Sequence, residues 1–423
     1  MEKKPIVLIA TRNSVFDPWL GNLKSDLSAN FEIIQIYCSE RKQFNKFVRK
    51  QFKYKLKGLI NFLGIANIEG WPYLYSRDWA PSLSKKLFKY PFLSRIFTSS
   101  SMRKLIMLLV FVYRQFPSKI ELQLLNDLAN LEKRPSVVIA MPTNMPSSYE
   151  SEVVEWAKKN KIKSLIPIMT LDNITSKGIF LENPDYVVCW NEIQALNLEN
   201  HHFIPRDSIK YSKSLFFENW MSFDFDKKLK DSSAENMFLY VCSSSRIGGY
   251  RHNKMMRKEE SRTIIRLAQE LDRVYKSKGH KAYLKIRIHP TFEIDHMLST
   301  LKFTNLELIF VSGEFPNNNE RDTNLIEDLK LAKICFGLNT SAFIQSSLLG
   351  TPSVCIETFT NRIVTTETAH LKQLITLGIV KIWNPEFQVL DLSVFNTDSQ
   401  LIQQSQKFVG FNYQTFDQLL DRL

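Results

Sequence analysis

The chain has 423 residues, of which 44% are hydrophobic and 23% are charged, and its formal net charge is +13. This length and composition predict two domains with apolar cores and exclude a disordered or low-complexity protein. The five cysteines are far apart and lack metal-binding or redox spacing, and the first residues lead directly into a strand pattern rather than a signal peptide. These features favour a reducing cytosol.

The first half of the chain predicts a Rossmann-like α/β domain over residues 1–220. Five apolar runs have the length of strands: residues 5–10, 31–37, 136–140, 163–168 and 186–190. Helical patterns lie between several of them, including 150–159. Asp17 and Asp172 follow two of these strands and are our candidates for a catalytic base. Either aspartate could instead cap a helix or hold a turn.

Residues 41–116 form a basic, aromatic insertion in this domain, which we expect to be helical. Between Arg41 and Lys104 there are 15 Lys/Arg and only two acids. Such a mixture of cations and aromatic rings suits an anionic membrane surface. A solvated helix face and a nucleic-acid site are the alternatives, and we predict no nucleic-acid partner. The residues assigned to the membrane or acceptor surface are Arg49, Lys50, Phe52, Lys53, Lys55 and Lys57.

The longest apolar run is residues 105–113, LIMLLVFVY. Nine residues cannot span a bilayer, which needs about 20. We therefore expect a buried helix here.

A second α/β domain is predicted over residues 235–385, followed by a helical tail over 386–423. The polar segment near 218–235 separates the two domains. It contains Asp224-Phe225-Asp226, a DxD metal motif that we interpret as solvated chain because lysines follow it directly. We predict no metal and no cofactor.

Polar residues follow three predicted strands of the second domain. Ser243 and Ser244 follow the run 237–242, in a loop whose small residues would let a ligand approach the backbone. The run 282–289 alternates, with Lys285, Arg287 and His289 on one face. Ligands bind beyond the carboxyl ends of such strands, so these groups suit a phosphate. An edge strand with a solvated face is the alternative.

The segment Gly337-Leu338-Asn339-Thr340-Ser341 lies between a strand pattern and a helix pattern. Thr340 or Ser341 would cap this helix, and its first N–H groups would face a phosphate. An ordinary capped helix is the alternative. None of the loops matches the strict GxGxxG or Walker patterns, so dinucleotide or P-loop binding is not supported.

Longer motifs carry a family resemblance over roughly residues 136–370. LDNITSKG at 171–178, followed by PDYVVCWNEIQ at 184–194, resembles the pattern WDNLTSKG…PD…VWNE.Q of bacterial GT-B glycosyltransferase-like surface-carbohydrate biosynthesis proteins. The later segments 240–244, 287–290, 337–341 and 368–370 follow in the order of that group. Leu171 stands where the group has Trp, and Gln345 where it has Glu.

The pair His289-Pro290 resembles the HP motif of capsule Kdo transferases, bacterial sialyltransferases and CDP-glycerol glycerophosphotransferases. The resemblance implies that His289, Thr340 and Ser341 lie at the phosphate of the donor nucleotide. If the Glu of the group contacts a ribose hydroxyl, Gln345 could still hydrogen-bond there, but without charge. Together with the strand-exit residues, the predicted donor site comprises Ser243, Ser244, Arg287, His289, Asn339, Thr340, Ser341 and Gln345.

The fold implied by the resemblance is two Rossmann-like domains facing a cleft, the GT-B architecture. The implied activity is a metal-independent glycosyltransferase that moves a sugar or related phospho-linked unit from a nucleotide donor to a cell-surface polysaccharide or lipid-linked acceptor. It would act in the cytoplasm, peripherally at the inner face of the membrane. A nucleotide-sugar 2-epimerase of the same fold and a non-catalytic, membrane-associated carbohydrate-binding protein are the alternatives.

Overall fold

The computed structural model describes residues 4–11, 20–38, 52–70, 92–116, 131, 134–141, 150–217, 220, 236–243, 250–289, 298, 300–313, 318–395 and 399–422. Four candidate residues lie outside these ranges: Asp17, Arg49, Lys50 and Ser244. The DxD segment at 224–226 and Pro290 lie outside them as well.

Two compact units make up the described chain, and each is built on a six-stranded parallel sheet. Unit 1 contains the described residues up to 217 together with 408–422, and unit 2 contains those from 220 to 407. The predicted α/β class and the two Rossmann-like units are therefore confirmed. The predicted tail 386–423 is divided between the units, because its last part packs on unit 1.

Unit 1 has the strand order β2-β1-β3-β4-β5-β6. Its strands are β1 Ile6–Thr11, β2 Glu32–Tyr37, β3 Val137–Ala140, β4 Lys163–Pro167, β5 Tyr186–Cys189 and β6 Ile209–Tyr211. Its helices are α1 Gly21–Ser28, α2 Phe52–Glu69, α3 Phe92–Phe97, α4 Ser100–Gln115, α5 Glu150–Lys159, α6 Asn173–Ser176 and α7 Glu192–His202.

The four inner strands of unit 1, β1, β3, β4 and β5, are buried on both faces over most of their length, as parallel strands with helical crossovers require. In β1, Val7 and Ile9 join one core cluster, while Leu8 and Ala10 join the other. The C-terminal helix, Phe416–Leu420, adds Phe416, Leu419 and Leu420 to the first of these clusters. Apolar packing on β1 therefore explains why the end of the chain belongs to unit 1.

Helices α2, α3 and α4 occupy the described part of the predicted insertion. Helices α2 and α4 are antiparallel: the Phe52 and Phe116 rings lie 5.1 Å apart, and Asn67 Nδ2 donates to Phe97 O at 2.7 Å. Among the described residues, no helix is both long enough and apolar enough to cross a bilayer.

Two lysines of the predicted membrane surface point inward instead. Lys57 is 2% exposed, and its ammonium lies 3.3 Å from the Glu152 carboxylate of α5. Lys53 donates to Phe116 O at 2.6 Å and lies 3.3 Å from Glu155. The surface assignment of Lys57 is therefore wrong, and that of Lys53 largely so, because carboxylates on α5 bind both charges. Lys55 and Phe52 are exposed.

The expectation of a buried helix at 105–113 is also wrong for the outer side of α4. Ile106, Val110 and Tyr113 are buried, whereas Leu105, Met107, Leu108 and Phe111 are 42–60% exposed. All nine residues of this run are apolar, so the sequence has no alternation of apolar and polar residues that would distinguish one helix face from the other. It therefore did not reveal that only one side of the helix packs against the protein.

Unit 2 has the strand order β12-β11-β10-β7-β8-β9. Its strands are β7 Met237–Val241, β8 Ala282–Arg287, β9 Leu306–Val311, β10 Ile334–Gly337, β11 Ser353–Ile356 and β12 Val380–Trp383. Its helices are α8 Tyr250–Lys278, α9 Asn318–Leu331, α10 Ala342–Leu348, α11 Ala369–Thr376 and α12 Ser399–Phe408, the last residue of which belongs to unit 1. Helix α13 is Phe416–Leu420, described with unit 1.

Strand β8 lies inside the sheet, between β7 and β9, and is not an edge strand. Leu284 and Ile286 pack into a core cluster with residues of α8, such as Leu267 and Leu271. The opposite, basic face of β8 is covered by α9. There Arg287 Nη1 lies 3.1 Å from Asp328 Oδ2, and Lys285 binds the other oxygen of the same carboxylate. The alternation of β8 therefore reflects a buried ion pair rather than a solvated face.

We expect Asp328→Ala to destabilise unit 2 by about 3 kcal/mol, because it leaves two largely buried cations without a carboxylate. Chemical denaturation would measure the loss. Glu327→Ala is the matched control, since Glu327 is an exposed residue of the same helix. Equal stability of the two variants would show that the ion pair does not hold α9 on the sheet.

Candidate functional site

The predicted donor-site residues of unit 2 follow three adjacent strands whose ends are in register. Arg287 of β8 pairs with Val241 of β7, and Val241 pairs with Gly337 of β10. Parallel strands are about 4.8 Å apart, so β8 and β10 are about 10 Å apart at this row. Residues directly beyond the row therefore share one edge of the sheet.

Beyond β8, His289 is half-buried. A hydrogen bond from its backbone reaches Cys242, the residue that follows β7. The ends of the two strands therefore remain together past the last ladder pair. This places the backbone of His289 beside the start of the Ser243 loop.

Beyond β7, the backbone N–H of Ser243 donates to Glu260 Oε1 at 2.7 Å. Glu260 belongs to α8 and is 3% exposed, and it also accepts a hydrogen bond from the Tyr240 hydroxyl at 3.3 Å. Burial raises the pKa of Glu260 to about 7, although the two donors act in the opposite direction. The sequence analysis missed this carboxylate, because its partners lie 17 and 20 residues away.

Beyond β10, Thr340 makes the predicted side-chain bond at the start of helix α10, since its Oγ1 accepts from the N–H of Ala342 at 3.2 Å. Ser341, which occupies the N-cap position, makes no capping bond with its side chain. The Phe343 N–H bonds to the Thr340 carbonyl. The Ile344 N–H bonds to the Ser341 carbonyl. The expectation that the first N–H groups of the helix are free for a phosphate is therefore wrong for Ala342, Phe343 and Ile344, because the turn uses all three itself. The Thr340 hydroxyl can still donate its proton to a ligand.

Gly337 ends β10 at a point of close approach. A Cβ at this position would lie 3.0 Å from the Val241 carbonyl oxygen and 3.2 Å from Thr340 Cγ2. Only glycine fits here without movement of the neighbouring strand or of Thr340. The residue therefore fixes where the Asn339–Thr340 turn leaves the sheet.

Asn339 holds a histidine that follows 31 residues later. Its Nδ2 donates to the Val364 carbonyl oxygen at 2.8 Å, and its amide lies 3.0–3.1 Å from His370 Nε2. His370 is buried in the first turn of α11. The side chain of Asn339 thus positions the segment before α11. In the sequence, His370 was noted only as part of the segment 368–370 of the family resemblance.

Two other predicted donor residues are buried. Arg287 is 5% exposed and binds Asp328, so its charge serves the packing of α9. Gln345 is 4% exposed in the middle of α10. Ser341, by contrast, is exposed beside Thr340.

A further polar cluster follows β11 and was missed by the sequence analysis. Thr358 Oγ1 donates to the buried carboxylate of Glu259 at 2.7 Å, and Asn361 Oδ1 accepts from the Thr358 N–H at 2.8 Å. Glu357 accepts a hydrogen bond from Thr366 Oγ1. These bonds fix the segment that leads from β11 to His370.

In unit 1, the motif residues mostly hold turns. Asp172 binds Lys177 at 3.0 Å and accepts hydrogen bonds from Thr170 and Ser176. Asn191 caps α7 and donates to Phe408 O at 2.7 Å. In the motifs 171–178 and 184–194, Asp172 and Asn191 therefore have structural roles in the local turn and helix cap.

Among the described residues, no group of three His, Cys, Asp or Glu side chains is placed to hold a metal ion. All five cysteines are buried as free thiols.

No family model and no curated protein matches this sequence. Solved structures resemble it in fold only. They include the glycosyltransferase SnogD from Streptomyces nogalater (9% identity, 100% of this chain and 98% of that chain, TM-score 0.46) and UDP-GlcNAc 2-epimerase from Neisseria meningitidis bound to UDP-GlcNAc (11%, 99% and 98%, 0.45). MurG from Acinetobacter baumannii is a third (11%, 99% and 100%, 0.43). At these values the similarities do not bear on the activity of this chain.

We expect Glu260→Gln to change how stability depends on pH. The folded pKa near 7 exceeds the ordinary value of 4.5. The native state therefore binds more protons between these values, and stability falls as pH rises from about 4.5 to 7. The variant should lack this loss, which is at most about 3 kcal/mol. Denaturant unfolding at pH 5 and pH 8 would measure it.

Glu270→Gln on the same helix is the control for loss of a carboxylate. If wild type and Glu260→Gln lose the same stability between pH 5 and pH 8, burial does not raise the pKa of this carboxyl group.

Proposed function

We propose that the protein is a glycosyltransferase, which moves a sugar or related phospho-linked unit from a nucleotide donor. The observation that carries the proposal is the row of strand ends in unit 2, where Ser243, His289 and the Asn339–Thr340 turn share one edge of a parallel sheet. Such edges are where open α/β sheets bind ligands. An imidazole and a hydroxyl at this edge match the chemistry of a diphosphate.

Departure of the nucleotide leaves negative charge on its phosphate. Fixed donors aimed at that charge stabilise the transition state. His289 would donate a ring N–H and Thr340 its hydroxyl, while Glu260 holds the Ser243 backbone and Gly337 the turn before Thr340. The proposed mechanism draws on these groups and requires no metal.

An inverting transfer needs a base that takes the proton of the acceptor hydroxyl. Asp17 is our first candidate and Asp172 the second. Asp172 already contacts Lys177, Thr170 and Ser176, so its carboxylate oxygens are engaged within unit 1.

The proposed acceptor is a cell-surface polysaccharide or a lipid-linked saccharide, and the proposed place of action is the cytoplasmic face of the membrane. The excess of cations over acids in residues 41–104 supports this location.

We expect one nucleoside diphosphate or monophosphate to raise the melting temperature of the wild-type protein, because a ligand that binds only the folded state stabilises it. CMP, CDP, UDP, GDP and dTDP would be compared by thermal shift. His289→Ala should abolish the selective shift, since the imidazole contacts the phosphate in the proposed complex.

His280→Ala is the matched control, because His280 is exposed and precedes the same strand at its opposite end. Selective shifts that persist in His289→Ala, or no shift with any of the five nucleotides, would contradict the proposal. Turnover is then tested by release of the nucleotide from the sugar donor of the base so identified.

A 2-epimerase remains the second candidate, because acidic side chains gather at the same edge. Glu259, Glu260 and Glu357 are all half-buried or buried there, and an epimerase needs several acids around its sugar. Incubation with UDP-N-acetylglucosamine, followed by proton NMR of the anomeric signals, distinguishes the two activities. Formation of the 2-epimer would favour this candidate over the transferase.

A further inference from the structure

The outward side of α4 is apolar although it faces solvent. Leu105 is 42% exposed, Met107 51%, Leu108 56% and Phe111 60%, and we call these four residues the α4 apolar face. Water-facing helix surfaces in soluble proteins are normally polar. Large exposed apolar patches mark sites that bind a protein, a ligand or a membrane.

The opposite side of the same helix supplies its contact with unit 1. Ile106, Val110 and Tyr113 are at most 2% exposed. They recur at spacings of four and three residues, so they form one stripe, and Leu108 and Phe111 lie on the other side. Helix α4 therefore packs against unit 1 through this stripe alone, and its apolar face takes no part in that packing.

The neighbouring helices also carry exposed apolar side chains. Phe52 at the start of α2 is 61% exposed and contacts Phe116, just beyond the end of α4. Because the helices are antiparallel and rise about 1.5 Å per residue, Leu59 lies near the level of Leu108. Leu59 is 47% exposed, and α3 adds the exposed side chain of Ile96.

The exposed charges on the described parts of these three helices have one sign. The described residues 52–70 and 92–116 contain a single acid, Glu69, which is buried. Three of their basic side chains bind inward: Lys53 to Glu155, Lys57 to Glu152, and Arg114 to Asn183 and the Leu181 carbonyl. The exposed basic residues of these ranges are Lys55, Arg95 and Lys104.

We propose that the α4 apolar face lies on the surface of an anionic lipid bilayer. Leu108 and Phe111 enter the boundary between headgroups and acyl chains, and Lys104 and Arg95 contact lipid phosphates. Exposed apolar side chains flanked only by exposed cations are the composition that an anionic interface selects. A second protein surface would need acidic groups as well as an apolar patch to match it.

This surface replaces the one assigned from the sequence, in which Lys53 and Lys57 were lipid contacts. It adds detail to the proposed function, because a protein bound to the bilayer by the α4 apolar face could reach a lipid-linked acceptor. Only the connection between lipid binding and a lipid-linked acceptor rests on the proposed function, since lipid binding can be measured without nucleotide.

The test is co-sedimentation of the full-length protein with phosphatidylcholine vesicles, with and without phosphatidylglycerol. We expect binding to the anionic vesicles that weakens with salt. The double variant Leu108→Ser/Phe111→Ser should bind at least tenfold more weakly. Phe387→Ser in unit 2 is the matched control, because Phe387 is 82% exposed, and it should bind as wild type does.

Lys104→Glu provides a second test that keeps the apolar side chains, and it should weaken binding to anionic vesicles only. Thermal melting confirms that the variants fold. Equal binding by wild type and the double variant would overturn the proposal. So would a wild-type dimer, seen by analytical ultracentrifugation, that the double variant abolishes while vesicles bind neither protein.

The nucleotide thermal-shift screen is independent of these vesicle measurements. Vesicle binding without any nucleotide-dependent shift would leave the lipid surface standing and remove the proposed transferase. A selective nucleotide-dependent shift without vesicle binding would support the proposed transferase and remove the lipid surface.

Discussion

The in-register pairing of β8, β7 and β10 determines where every polar group of the candidate site lies. Arg287, Val241 and Gly337 form one row, so any residue that follows them by two or three positions emerges at the same edge. His289 and Thr340 are 51 positions apart in sequence, and this hydrogen-bonded row is what relates them. The close approach of Gly337 to the Val241 carbonyl keeps the row tight at its centre.

Carboxylates from the covering helices complete this edge. Asp328 of α9 neutralises two cations of β8, Glu260 of α8 fixes the backbone of Ser243, and Glu259 binds Thr358. Buried charges cost desolvation and are retained only with good partners. These three carboxylates hold in place the segments where the chain leaves the strands. The side chains that remain at the surface of this edge, His289 and Thr340, have chemistry that suits a phosphate.

Sequence patterns predicted the central elements well, because buried parallel strands are continuous apolar runs. Helix α5 was predicted with the bounds that the structure has. Three of the four edge strands were not singled out: β6, β9 and β12 are short or carry polar residues, so they lack that signature. The side-chain bond of Thr340 at the start of α10 was predictable, because it joins residues two positions apart.

Long-range partners explain the failures. Lys53 and Lys57 resemble a surface patch until carboxylates about 100 residues later are seen to bind them. Arg287 resembles a phosphate ligand until Asp328 is known to lie beside it. In each case a local pattern gave the residue type correctly, but the identity of its neighbour depends on tertiary packing.

The most direct measurement is a crystal structure of the protein with the nucleoside diphosphate that it binds. The account predicts phosphate oxygens within hydrogen-bond distance of both the His289 imidazole and the Thr340 hydroxyl. A nucleotide bound elsewhere on the chain, with these two side chains more than about 10 Å from its phosphates, the spacing of the two strands themselves, would contradict it.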